Sequence, residues 1–217
     1  MGTITNRLIR ALAAGGLVLC GMAAQADVLY SQAPLDGGFA YLAVADSTSS
    51  FDGFQNADNF VLQAGSTVTG FQWWGTDADV SKFVLRLFGD PLDDNATALP
   101  ATVVRTATAL TDSAFNAIYL YEATLQSAIQ PAGGTSHFSV LLDDSPFANN
   151  LWFWLESDPD STSFYRGVDG DSWGELPPGL AFTVLGDRAV TVDEPAALWL
   201  VGIAGLALLS SRRQRRS

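Results

Sequence analysis

One cysteine and one histidine in 217 residues leave this chain with almost none of the side chains that form disulfides or hold transition metals. A zinc site built on several histidines is excluded by count. Disulfide support is excluded as well, and a body of this size does not need it. A glycine-rich phosphate loop of the Walker or dinucleotide type is missing. A Ser-His-Asp triad would have to use His137, which in Ser136-His137-Phe138-Ser139-Val140 reads as a strand residue on a half-exposed face. Long apolar runs are missing too. The two that exist, Ala11–Ala24 and Ala196–Leu209, are fourteen residues each. A helix of that length rises about 21 Å, against a hydrocarbon core of about 30 Å.

Positive charge is scarce where it matters. The chain has 11 Lys and Arg against 23 Asp and Glu. Two of the bases precede residue 27, and four bases with two acids follow residue 192. Residues 27–192 therefore hold five bases, Lys82, Arg86, Arg105, Arg166 and Arg188, against 21 acids, a net charge of −16. A field of that sign opposes nucleic acid and anionic lipid, and it favours solubility and cations.

The two short apolar runs read as addresses. Arg7 and Arg10 precede the first, and Ala24-Gln25-Ala26 closes it as an A-x-A site, the layout of a secretory signal peptide over residues 1–26. Cleavage between Ala26 and Asp27 is expected. The alternatives are an uncleaved anchor helix, or lipidation of Cys20 through Leu17-Val18-Leu19-Cys20, where Leu19 is larger than a lipobox wants. The second run follows Glu194-Pro195 and ends at Arg212, Arg213, Arg215 and Arg216. Those arginines hold the end of a short transmembrane helix on the cytoplasmic side, with the body outside. An ordinary C-terminal anchor is the alternative.

A motif, a short apolar helix and an Arg-rich end make a tripartite tail over residues 191–217. It resembles the PEP-CTERM sorting signal of Gram-negative bacteria that make exopolysaccharide. Glu194 and Pro195 match that motif, and Asp193 stands where its first proline would be. The resemblance implies processing by an exosortase, a membrane anchor only until that step, and delivery to the cell surface or the polysaccharide matrix. The body is also similar to uncharacterised PEP-CTERM proteins, through ADNFVLQAGSTVTGFQWWG, KFVLRLFGDPLDDNATALP, LWFWLES and FYRGVDGDSWGELPPGLAFTVLG.

Between the ends, helical periodicity is nearly absent. Short β-branched and aromatic runs alternate with turn residues. Strands are expected at 39–44, 59–62, 66–74, 82–88, 101–107, 115–125, 136–142, 151–156, 163–166 and 180–185. The fold class is all-β, one antiparallel sandwich or jelly-roll-like domain over residues 27–190. Two strands, 82–88 and 151–156, are apolar on both faces. Either something covers the second face or an aromatic surface is open.

Three chemistries remain for the body. Trp152, Trp154 and Trp173 are candidate glycan-stacking rings, with sandwich core as the competing use of such rings. Asp158, Asp160, Asp169 and Asp171 are candidate calcium ligands. The stretch from Asp169 begins like an EF-hand loop but has Trp173 at position five and Leu180 at position twelve, and turn-forming aspartates account for it without metal. Glu156 is the best-placed acid for glycoside hydrolysis. The expectation is a non-enzymatic exported protein without a required cofactor. A carbohydrate-binding module, calcium-stabilised or not, comes second and a hydrolase third.

Overall fold

The computed structural model describes residues 26–49, 51–89, 95–147, 151–157 and 161–189. The signal segment up to residue 25 and the tail from residue 190 lie outside the described residues, as do Asp158 and Asp160.

The described residues form fifteen strands and two 3-10 turns, Ser47–Ser49 and Val80–Lys82. The strands are β1 Asp27–Gln32, β2 Ala40–Leu42, β3 Val44–Asp46, β4 Asp52–Gly53, β5 Gln55–Leu62, β6 Thr67–Gly75, β7 Phe83–Phe88 and β8 Thr97–Ala98. Next come β9 Ala101–Thr111, β10 Ala117–Ile129, β11 Gly134–Asp143, β12 Phe153–Leu155, β13 Ser163–Arg166, β14 Gly174–Leu176 and β15 Phe182–Asp187. The first sheet runs β1-β15-β6-β10-β9, with β12 joined to β6 and β2. The second runs β14-β13-β5-β11-β3-β4, with β7 on β11 and β8 on β7. Every pairing is antiparallel except β3 with β11.

Period-two alternation makes this architecture. In β6, Phe71 and Trp73 face the second sheet and are fully buried, while Gln72 and Trp74 face away. Tyr121 stands opposite Trp73 on β10, and Phe182 stands opposite it on β15. From the second sheet, Phe138, Val140, Leu142, Leu85 and Phe60 meet this layer in one cluster. Phe71 stacks on Phe138 at 4.2 Å between centroids, and Trp73 on Tyr121 at 5.7 Å. The first contact crosses between the sheets and the second lies within the first sheet, and both belong to one core.

The expected strands occur, with shifted bounds. The expected strand 39–44 is split, because Ala43 leaves the ladder to donate its N–H to Trp152 O and to accept from Leu142 N. β1 was not expected; its alternation is weak and it follows directly on the leader. β10 runs to Ile129, beyond the apolar run, since Gln126 and Ser127 are exposed and carry no hydrophobic signal.

Candidate functional site

Trp152 and Trp154 are not glycan platforms. Both are fully buried in the core. Trp154 Nε1 donates to Ala181 O at 2.9 Å. Trp152 lies so close to Gly75 that a Cβ there would sit 2.7 Å from its Nε1. The apolar second face of β7 is covered, and Trp173 is part of the cover. It is half-buried and lies over the Arg166 guanidinium at 4.4 Å, edge-on to Phe88 at 5.4 Å. Its ring face is occupied by a cation.

The calcium reading fails at Asp169 for the same reason. Arg86 Nη1 and Nη2 donate to Asp169 Oδ1 and Oδ2 at 2.9 and 3.0 Å, and Arg166 Nη2 also pairs with Oδ1. Both carboxylate oxygens are already used by two guanidiniums. Asp171 accepts from Val168 N at 3.1 Å and so closes a turn. Among the described residues no group of three His, Cys, Asp or Glu is placed to hold a metal.

The hydrolytic candidates lack the local geometry for catalysis. Glu156 is buried between β12 and Leu180, and its carboxylate, after burial itself, helps push the Tyr41 phenol above its ordinary range. Gly170-Asp171-Ser172-Trp173-Gly174 has the G-x-S-x-G spacing of a nucleophile elbow. Ser172, however, sits exposed on a bend that leads into strand β14, where an elbow needs a helix. His137 Nδ1 is bonded to Gly89 O at 2.9 Å, with the ring edge-on to Phe164.

A second buried polar cluster joins the two sheets. Asp58 is fully buried and accepts from Leu180 N at 2.5 Å and Asn59 N at 2.6 Å. The Gln32 amide bridges Asp58 to Tyr30, Ser157 and Ser161. Burial pushes the Asp58 carboxyl up to about 7, against the pull of those donors. Asp58 and Ser157 lie inside, while Tyr30 and Ser161 are partly exposed.

The outer face of the first sheet is exposed on β9, half-buried at Glu122, Gln72 and Trp74, and closed at β15, where Thr183 is 3% exposed. One row across it reads Val104, Glu122, Gln72, Thr183 and Ser31. The next holds Thr106, Leu120 and Trp74, and a third Thr102, Thr124 and Gly70. Gln72 Nε2 donates to Glu122 Oε2 at 2.6 Å, and the Ser31 and Thr183 hydroxyls are 2.9 Å apart. Trp74 is half-buried and is the tryptophan on this face. The accessible part spans β9, β10 and β6, a strip about 10 Å wide at a strand spacing of about 4.8 Å. An indole beside a carboxylate, a carboxamide and hydroxyls suits a hydroxyl-rich, uncharged ligand. The sequence did signal Trp74: Gln72 next to it on the same face marks that face as polar.

Compared with known proteins, the chain matches no family model, no curated protein and no solved structure. Its class is therefore defined by its own architecture: an all-β protein of two facing sheets, one outer face strapped by an arginine–tryptophan cluster and the other open over β9, β10 and β6.

Proposed function

We propose that this chain is an exported, non-enzymatic cell-surface or exopolysaccharide-matrix protein, processed by an exosortase at its tail. The two sheets are read as one jelly-roll-like sandwich domain over residues 27–190. One observation carries the reading. β1 starts at Asp27, directly after Ala24-Gln25-Ala26, β15 ends at Asp187, and Asp27 pairs with Gly186. Both ends of the folded body leave from neighbouring strands, a few residues from the two expected cuts. Removing leader and tail would cost the body none of the described strands. The tail would emerge beside the mature N-terminus, so a single face of the body would point at the membrane before release. The test is Glu194→Ala with Pro195→Ala, which should leave a longer, membrane-held precursor; an unchanged C-terminus and location would refute sorting by this motif.

A second reading, a carbohydrate-binding module for neutral polysaccharide, is favoured by the open face around Trp74. Its ligand would be uncharged, because the body's net charge of −16 repels an anionic chain. Retention on a polysaccharide array that Trp74→Ala abolishes and Trp173→Ala spares would support it. Equal retention of both variants would remove it.

A further inference from the structure

A sheet edge left unpaired is a template for another strand, and proteins normally blunt it by shortness, a bulge, proline or charge. Most edges here follow that rule. β2, β4, β8 and β14 are two or three residues long, and β1 is broken by a register shift between Val28 and Tyr30. β9 is different. It is eleven residues long with β10 as its single sheet neighbour among the described residues. Its register is unbroken from Ala101↔Leu125 to Ala107↔Tyr119, and this is the open stretch, since at the far end Gly37 N donates to Thr111 O and Thr111 N to Asp36 Oδ1. It has no proline and one charge, Arg105. That charge does not guard the edge: Arg105 pairs with Asp77, donates to Ala78 O at 3.2 Å and stacks on Tyr119 at 4.7 Å.

Charge says what could approach. Residues 95–111 contain no acid, in a body that carries 21 of them. On the strand itself an equally anionic molecule, such as a second copy, meets no acid. Beside it runs a groove of about 810 Å³ between Val103–Arg105 of β9, the Asp79–Lys82 turn, and Leu142 with Asp144. The groove carries three acids, Asp77, Asp79 and Asp144, against Arg105 and Lys82. Asp77 and Asp144 are paired with those bases, and Asp79, which caps the turn, supplies the excess negative charge.

We propose that β9 pairs antiparallel with β9 of a second copy of this chain about a two-fold axis, joining the two first sheets edge to edge. Main-chain hydrogen bonds supply the affinity. The incoming copy's Ala101 and Val103 face the groove, and each Arg105 stays on its own Asp77. The contact is self-complementary, as a two-fold interface requires. It does not depend on what the open face binds, although pairing would bring the two Trp74 faces into one continuous surface.

The experiment is sedimentation of the exported protein over a thousandfold concentration range, with a paired variant, Val104→Asp and Thr106→Asp. Val104 is 55% exposed and Thr106 is exposed, so the variant keeps the monomer's packing, and its thermal melt checks this. The expected result is a wild-type dimer whose dissociation midpoint moves up at least tenfold in the variant. Thr124→Asp, on the same face but one strand inward, should leave the midpoint in place. A wild-type protein that is monomeric throughout, a dimer indifferent to the β9 charges, or a dimer shifted equally by Thr124→Asp would each overturn the proposal.

Discussion

Replacing Asp169 by asparagine removes one carboxylate that serves two buried cations. The Arg86 and Arg166 side chains are 7% and 0% exposed, and Asp169 is 30% exposed. Gln55 Oε1 also accepts from Arg86 Nη1 at 2.9 Å and Arg166 Nε at 3.1 Å, but a neutral amide oxygen cannot balance two positive charges. Removing one partner of a buried pair costs about 3–5 kcal/mol. Water reaches the Asp169 side, so screening reduces the figure to about 2–4 kcal/mol. For a body of this size that is a fall in melting temperature of about 5–15 °C. Urea unfolding followed by tryptophan fluorescence suits the case, because Trp173 lies on Arg166 and reports the strap directly. Asp171→Asn is the control and should stay within about 1 kcal/mol, since its turn bond is exposed. An Asp169→Asn protein within about 0.5 kcal/mol of wild type would show that the two arginines do not need this carboxylate.

Other expectations are quicker to check. Asp58 is held near 7 in the folded state against an ordinary value of 3.8, so folding favours its protonated form. Its contribution is therefore fully present below about pH 4 and is lost as pH rises through about 7, about 4 kcal/mol in all. Unfolding free energies across that window should fall in wild type and stay flatter in Asp58→Asn; parallel profiles would contradict the assignment. Calcium or a chelator should leave the melting temperature unchanged, because Asp169 is committed to the arginines; a rise of several degrees with calcium would reverse that conclusion. Trp152→Ala should cost about 3–5 kcal/mol as a core deletion. A Trp152→Ala protein of wild-type stability would mean the ring is not packed as described.

The strands were legible because alternation and turn residues are written residue by residue. GFQWWG announces a strand with one apolar and one mixed face, and β6 is that strand. The sequence could not say which of six tryptophans would be inside. Trp152 and Trp154 lie at alternate positions of a short run whose intervening residue, Phe153, is also aromatic, so neither face looked polar. Their burial is set by β2 and β6 packing beside them, which is a long-range fact. Asp169 looked like a metal ligand because loop aspartates share a composition with calcium loops. The competing cations lie 83 positions upstream at Arg86 and three away at Arg166, and only the sheet brings them together. The edge at β9 was half visible: its residues read as a strand, but that β10 is its single sheet neighbour among the described residues depends on topology.

The account rests most heavily on the two ends being removed from a body that folds between them. Intact-mass measurement of the protein recovered from outside the producing cell tests this most directly. The expected polypeptide begins at Asp27, ends close to Asp193-Glu194-Pro195, and lacks the arginine-terminated helix. A full-length chain of 217 residues, recovered soluble from the cytosol, would contradict it.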